Sequence, residues 1–202
     1  MSLWIAAQPL VLASKSQVRR QILAASGLPV EVRPAAIDER AIEAGAGAIA
    51  ADQAARLLAH AKAAAVAKAM PGRLVLAADQ TLSLGTQRFS KPADRAAARQ
   101  QLRALCGQSH NLHAALVLMR DGAVLFEHAD LATLTMRQFS DQFLESYLDA
   151  AGDAVTTSVG GYQIEGAGIH LFQRIAGDYF TILGLPLLPL LDFLRRNGFI
   201  AS

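Results

Sequence analysis

The sequence contains one cysteine and few aromatic residues. Cys106 is alone among 202 residues, which excludes an intramolecular disulfide and a zinc-thiolate cluster built from this chain. The five histidines lack zinc-ligand spacing, and no Gly-x-Ser-x-Gly elbow indicates a serine hydrolase. Aromatic residues make up 6% although hydrophobic residues reach 52%, and alanine supplies much of the difference. This composition favours packed helices in a soluble α/β protein.

Long apolar runs and charge tracts of one sign are also missing. Residues 182–194 are the most apolar late stretch, but they contain two prolines and Asp192 and are too short to cross a hydrocarbon core of about 30 Å as a helix. The N-terminal residues do not follow the signal-peptide pattern, so a cytoplasmic protein is expected. The net charge is only +2 and the basic residues are scattered, so no stable nucleic-acid or membrane partner is expected.

No long polar or Pro/Ser-rich linker divides the chain, so one compact domain over residues 1–202 is expected. The predicted strands are residues 9–13, residues 74–78 with Asp79 at their end, and two arms of a hairpin around Asp121-Gly122. The predicted helices follow the loop at residues 14–16 and cover approximately residues 49–70, 94–106, 140–151 and 187–196.

The loop after the first predicted strand carries residues suited to anion binding. The run L-A-S-K-S-Q-V-R-R, residues 12–20, places two hydroxyls and three cations around the start of a predicted helix. Free backbone N–H groups and the helix dipole favour an anion there, and arginine binds phosphate oxygens in a bidentate fashion. A capped helix with solvated basic residues explains the run equally well, so both interpretations stay open.

Further acidic and basic residues could serve phosphate chemistry. Asp79 closes an apolar strand, where a carboxylate can hold a divalent cation or take a proton from an attacking water. An aspartate at a strand end is, however, more often a turn residue. Lys91 offers a cation beside a stiff proline, and the pair Asp38-Glu39 could complete a metal site or lie in a solvated loop.

A glycine-rich stretch, G-G-Y-Q-I-E-G-A-G at residues 160–168, could approach a ligand closely. Its tyrosine, Tyr162, could stack on a nucleobase, and Glu165 could accept hydrogen bonds from it. The alternative is a glycine-rich hairpin that binds nothing. The spacing matches neither the dinucleotide-binding nor the P-loop pattern, so neither is predicted.

The order of six motifs resembles the Maf family of nucleotide pyrophosphatases. They are L-A-S-K-S-Q-V-R-R, A-K-A, A-A-D-Q-T, S-K-P, G-Y-Q-I-E-G and G-D-Y-F-T-I-L-G-L-P-L, spread over residues 12–187. The resemblance implies an elongated α/β fold of the Maf/ITPase-like type, with a mixed sheet, flanking helices and a central cleft. It also implies a divalent cation, Mg²⁺ or Mn²⁺, hydrolysis of a nucleoside triphosphate between its α and β phosphates, and a possible homodimer.

The same resemblance implies roles for individual residues. Asp79 matches the residue that activates water, and Glu39 matches an acidic position near the metal that Asp79 also contacts. The residues that match positions around the phosphates are Ser14, Arg19, Lys62 and Lys91. Three cations there would offset the charge that develops on the pyrophosphate leaving group.

Three positions bear on the nucleobase. Gln80 and Glu165 resemble the subgroup that cleaves 7-methyl-GTP, whereas members that cleave dTTP and UTP carry threonine and glutamine there. A carboxylate at Glu165 suits guanine, whose N1–H and exocyclic amine are two donors. Gln17 and Val18 depart from the usual S-x-S-P-R-R motif, and Val18 replaces the aromatic residue usual in the methylguanine subgroup. A modified or canonical purine is therefore slightly favoured over dTTP and UTP.

Two other functions stay open at this point. The family resemblance carries an association with septum formation, so the alternative function is a nucleotide-binding regulator of cell division that does not need hydrolysis. A basic nucleic-acid-binding domain is the least favoured, because such a domain concentrates its positive charge.

Overall fold

The structure is a computed structural model that describes residues 3–201, and these residues form two compact units. Unit 1 comprises the described residues of Met1–Gln80 and Asp178–Ser202, together with Ala114–Asp130. Unit 2 comprises Thr81–His113 and Leu131–Gly177. Within residues 3–201, no helix combines the length and the apolar character needed to cross a membrane. The single domain expected over residues 1–202 stays a prediction.

Strands and helices follow one another along the described chain. The strands are β1 (Leu10–Leu12), β2 (Val30–Val32), β3 (Val75–Leu84), β4 (Gln87–Phe89), β5 (Ser109–Arg120), β6 (Ala123–Met136) and β7 (Phe172–Ala176). The helices are α1 (Gln17–Ala25), α2 (Glu39–Ala46), α3 (Ala51–Ala69), α4 (Arg95–Leu105), α5 (Asp141–Ala151), α6 (Tyr179–Ile182) and α7 (Leu187–Arg196). Short 3₁₀ helices lie at Gly152–Thr156 and Ala167–Leu171.

The strands of the described residues form one sheet in the order β2-β1-β3-β5-β6-β7, with β4 paired to β3. β1 runs parallel to β2 and to β3. β3 is antiparallel to β4, and β6 is antiparallel to β7. The predicted α/β fold with a mixed sheet is therefore confirmed.

In unit 1, β1 is a continuous buried run because parallel strands cover both of its edges and helices cover both of its faces. Leu10 and Leu12 join a core cluster that contains Leu23 of α1. Val11, which faces the other way, joins a second cluster formed with the alanine face of α3. Three members of that face, Ala55, Ala59 and Ala63, recur every four residues and are buried, so the alanine excess packs a helix against the sheet.

The prediction that the second strand ends at Asp79 is wrong. β3 continues to Leu84, because its last residues pair with β4, from Leu82 with Phe89 to Leu84 with Gln87. It is β1 that ends early, since its last partner in β3 is Leu76. Asp79 therefore lies within β3, past the carboxyl end of the neighbouring parallel strand, where side chains are no longer covered by β1.

Helix starts and the hairpin turn agree with their local signals. The side chains of Asp94 and Ser140 cap α4 and α5 by accepting hydrogen bonds from backbone N–H groups at 2.8 and 3.2 Å. Asp121 and Gly122, which join β5 to β6, have φ angles of 51° and 79°, as a two-residue hairpin turn requires. Cys106, which is partly buried, is the C-cap residue of α4.

Unit 2 buries an ionisable side chain, His110 of β5, which is 1% exposed. Its Nε2 lies 2.7 Å from the Tyr162 hydroxyl, and the ring also packs against Phe172 at a centroid distance of 6.0 Å. Burial lowers the pKa of His110 to about 4. The imidazole is therefore neutral in the folded protein at neutral pH.

This burial predicts that acid weakens the fold through His110. Above the unfolded pKa of about 6.5 the residue is neutral in both states, whereas at lower pH only the unfolded chain takes up the proton. The stabilisation is thus lost as pH falls from about 6.5 through about 4, and it amounts to about 3 kcal/mol. Urea denaturation at several pH values should show a shallower acid loss for His110→Gln. The control His170→Gln changes an exposed histidine of unit 2, and equal acid losses in the two variants would contradict the prediction.

Candidate functional site

The loop between β1 and α1 is closed by its own side chains. The hydroxyl of Ser16 caps α1 by accepting the backbone N–H of Arg19 at 3.3 Å. The hydroxyl of Ser14 accepts both the backbone N–H of Ser16 and a guanidinium N–H of Arg19, each at 3.2 Å. The capped-helix interpretation of this loop therefore holds for Ser16, while Ser14 is joined to the buried arginine.

Arg19 is a buried cation, 9% exposed. Its Nε donates to the carbonyl of Gly184 at 2.8 Å, and Nη1 donates to the carbonyl of Ala78 at 2.6 Å. Burial lowers the pKa of Arg19, and the carboxylates of Asp79 and Glu39 oppose that shift. The guanidinium thus joins α1 to β3 and to the turn after α6, and it brings positive charge beside Asp79.

Asp79 and Glu39 converge on one ammonium group. The Nζ of Lys62 lies 2.5 Å from Asp79 Oδ1 and 3.0 Å from Glu39 Oε1. Lys62 and Asp79 are 9% and 8% exposed, whereas half of the Glu39 side chain is exposed. Burial raises the pKa of Asp79, and the cations of Lys62 and Arg19 oppose the rise. The site therefore holds a carboxylate that is costly to ionise beside cations that offset the cost.

The two residues of the predicted acidic pair, Asp38 and Glu39, make different contacts at the start of α2. Asp38 is the N-cap, and its carboxylate accepts the backbone N–H of Ala41 at 3.0 Å. Glu39 is the first residue of the helix and contacts Lys62. Lys62 is one of the buried residues of α3 and lies next to Ala63 in the chain. Its side chain reaches Asp79 of β3. Only one member of the pair therefore reaches the candidate site.

Gln80 has fewer hydrogen-bonding groups left for a ligand than the sequence indicates. Its Nε2 donates to the carbonyls of Thr181 and Ile182, both at 3.0 Å, so both amide N–H groups are used. The remaining hydrogen-bonding capacity of this side chain is the Oε1 acceptor. Val18 is partly buried and packs against the core cluster of unit 1. Specificity roles for both residues stay predictions.

The hypothesis that Tyr162 stacks on a nucleobase is wrong. The side chain is 5% exposed and packs edge-on against Phe172, with its hydroxyl on His110. The glycine-rich stretch is not a hairpin either, because it consists of turns that lead into the 3₁₀ helix Ala167–Leu171. Glu165 lies in these turns with an exposed side chain. Tyr162 therefore anchors the segment that carries Glu165.

The structure brings most of the predicted site residues together in unit 1. They are linked by direct contacts or by charge: Ser14, Arg19, Glu39, Lys62 and Asp79. Lys91 and Glu165 belong to unit 2, and both are exposed. Among residues 3–201 no three His, Cys, Asp or Glu side chains cluster as a complete metal site, so two carboxylates are the acidic donors here.

Sequence reasoning missed the short helix α6 and its contacts with the site. Asp178 caps α6, and its carboxylate accepts the backbone N–H of Thr181 at 3.0 Å. Aspartate is one of the preferred N-cap residues, and Asp178 is therefore a local signal that could have indicated the start of this turn. The carbonyl of Gly184, which holds Arg19, carries no signal in the sequence because every residue has one.

Comparisons with known proteins find a matching family and similar proteins along nearly the whole chain. Residues 9–197 match the family described as Maf-like protein. A Rhodopseudomonas palustris (strain BisB18) protein named nucleoside triphosphate pyrophosphatase is 53% identical over 201 residues, covering 100% of both chains. A Bradyrhizobium diazoefficiens protein of the same name is 54% identical over 201 residues, again covering 100% of both. A Rhizobium etli protein named 7-methyl-GTP pyrophosphatase is 52% identical over 95% of this chain and 97% of its own length.

Proposed function

We propose that this chain, which belongs to the Maf-like protein family, is a nucleoside triphosphate pyrophosphatase. The reaction is attack of water on the α-phosphorus, cleavage of the α–β phosphoanhydride, and release of a nucleoside monophosphate and pyrophosphate. Full-length relatives that carry this name support the reaction class. The buried Asp79 carboxylate, paired with Lys62 and close to the charge of Arg19, is the observation that carries the proposal for the site.

Asp79 is proposed as the general base. A base works best when its pKa approaches the working pH, and burial shifts the pKa of Asp79 in that direction. The cation of Lys62 retains the ionised form, which is the form that takes the proton from water. The new bond joins the water oxygen to the α-phosphorus as the bridging P–O bond breaks.

Positive charge near the site would stabilise the leaving group. Pyrophosphate gains charge as the bridging bond breaks, and fixed cations lower that barrier. Arg19 and Lys62 supply two buried cations in unit 1. Lys91 of unit 2 keeps the phosphate role that the family match implies, as does the hydroxyl of Ser14, and both stay predictions.

The donor set fits a divalent cation. Asp79 and Glu39 each contact the Lys62 ammonium through one carboxylate oxygen, at 2.5 and 3.0 Å, so two carboxylates lie side by side where an additional cation could bind their other oxygens. Mg²⁺ typically takes one or two carboxylates and completes its shell with water and substrate phosphates. Asp79 and Glu39 are therefore proposed to hold Mg²⁺ or Mn²⁺. When bound, such an ion would neutralise phosphate charge.

A nucleotide panel tests the function. Purified protein with Mg²⁺ or Mn²⁺ is incubated with 7-methyl-GTP, GTP, dTTP and UTP, and the products are separated by ion-exchange chromatography. Equal amounts of nucleoside monophosphate and pyrophosphate are expected from at least one nucleotide. Nucleoside diphosphate and inorganic phosphate as products, or no product from any nucleotide, would reject the proposal.

A purine is the proposed base, with Glu165 as the residue that distinguishes it. A relative named 7-methyl-GTP pyrophosphatase supports this choice. Glu165→Gln is expected to lower the ratio of kcat/KM for 7-methyl-GTP over that for UTP by about 10-fold, because an amide offers guanine one acceptor where a carboxylate offers two. Initial rates with both nucleotides give the ratio.

The control for this substitution is Asp153→Asn, which removes an exposed carboxylate elsewhere in unit 2. It should leave the ratio unchanged. A Glu165→Gln variant that keeps the wild-type ratio would remove Glu165 from base selection, while the reaction class would stand on the panel alone.

A further inference from the structure

The segment 178–184, which contains α6 and the turn after it, is fixed by a buried hydroxyl. Thr181 is fully buried, and its Oγ1 donates to Asp130 Oδ2 at 2.8 Å. Its backbone N–H is bound by the N-cap Asp178 at 3.0 Å. Four residues are too few to form a stable helix without outside contacts, so these bonds and the burial of Ile182 hold α6 in place.

The carbonyls of this segment bind two side chains of the candidate site. Thr181 and Ile182 accept both N–H groups of the Gln80 amide. Gly184 accepts the Nε of Arg19 at 2.8 Å. A small displacement of the segment would therefore move Gln80 and Arg19 together.

A side chain at Gly184 would crowd Arg19 and would strain the turn. A Cβ added there would lie 3.1 Å from Arg19 Nη2 and 3.4 Å from Gln80 Oε1. The φ of Gly184 is also +85°, which other residues rarely adopt. The backbone thus approaches the site side chains directly, and its position determines theirs.

We infer that Thr181 is a positioning residue for the proposed reaction: its hydroxyl, held by Asp130, fixes the backbone segment whose carbonyls orient the Arg19 guanidinium and the Gln80 amide. The expected change in kcat/KM rests on the proposed function. The expected position of the Arg19 and Gln80 side chains rests on the hydrogen bonds alone. Gln80 is held with Oε1 as its available atom, so it presents an acceptor to any group that approaches it.

Two substitutions separate the hydroxyl from the rest of the side chain. Thr181→Val keeps the shape and removes the donor, whereas Thr181→Ser keeps the donor and removes a methyl group. Thr181→Val is expected to lower kcat/KM for the best nucleotide by about 10-fold or more, since small misplacements of binding groups slow reactions strongly. Thr181→Ser should stay within about three-fold of wild type, because its hydroxyl can still reach Asp130. Both are assayed below their unfolding transitions, measured by circular dichroism.

A spectroscopic readout tests the same inference without catalysis. In ¹H–¹⁵N spectra, the Gln80 side-chain amide pair is identified by its absence in Gln80→Met. Its hydrogen exchange is expected to be slow in wild type and Thr181→Ser and fast in Thr181→Val, because both N–H groups are bound to the segment.

The outcomes are distinguishable. If wild type hydrolyses no nucleotide, the proposed function fails, and the amide exchange still decides whether Thr181 positions Gln80. If wild type is active and folded Thr181→Val retains its kcat/KM, or if Val and Ser lower it equally, the inference is overturned. Slow amide exchange in Thr181→Val would overturn it as well.

Discussion

Replacing Asp79 by asparagine is expected to lower kcat by about 1,000-fold, because it removes the proposed general base. The amide cannot take a proton from water, and it is a poorer ligand for a divalent cation than the carboxylate it replaces. Geometry is otherwise conserved, because asparagine has the same shape and its oxygen can still accept from Lys62. Pyrophosphate release under saturating nucleotide measures the loss.

The fold should not suffer from this change. Burial raises the pKa of Asp79, so the ionised form is disfavoured by folding at neutral pH, and a neutral amide removes that cost. The Lys62 ammonium still has the Glu39 carboxylate at 3.0 Å as its counter-ion, so the unfolding midpoint of Asp79→Asn is expected to lie close to that of wild type. Asp52→Asn changes an exposed carboxylate on α3 and should keep full activity. An Asp79→Asn protein with a tenth of wild-type kcat would exclude Asp79 as the base.

The sequence predicted those parts of the fold that depend on neighbouring residues. The helix caps bond to backbone groups three residues further along the chain, and the hairpin turn involves two adjacent residues. These features, Asp94, Ser140 and Asp121-Gly122, can therefore be predicted from a short stretch of sequence. The end of β3 was missed although its partner β4 follows after only the two-residue turn Gly85-Thr86, in which Gly85 has a φ of 59°. The point at which β1 stops pairing with β3 joins Leu12 to Leu76, and such a long-range partner cannot be read from a short stretch of sequence.

The candidate site divides in the same way. Residue types suited to phosphate chemistry could be identified, and the resemblance implied positions for Arg19, Lys62 and Asp79, which contact or face each other in unit 1. The hydrogen bonds of each side chain could not be predicted from the sequence, because its partners lie far away along the chain. Gln80 gives both N–H groups to carbonyls about one hundred residues away, and Tyr162 is buried against His110. Both looked available for a ligand from sequence alone.

The second large effect is expected at Lys62. Lys62→Met keeps the length of the side chain and removes the cation that both carboxylates share, so kcat/KM should fall by about 100-fold or more. Removing one partner of a buried pair also leaves an uncompensated charge, and the free energy of unfolding should fall by up to about 3 kcal/mol. Lys68→Met changes an exposed lysine of the same helix and should alter neither quantity.

The double variant Lys62→Met, Asp79→Asn decides whether this destabilisation comes from the buried pair. Asparagine carries no charge, so it should need no cation beside it, and the double variant should be more stable than the sum of the two single changes predicts. Glu39 remains in both proteins, but half of its side chain is exposed and water can solvate it. Urea denaturation of the four proteins gives the coupling between Lys62 and Asp79 without any assumption about substrate or metal. If the two substitutions simply add, the ion pair does not act as a unit, and the proposal that Lys62 keeps Asp79 ionised loses its physical basis.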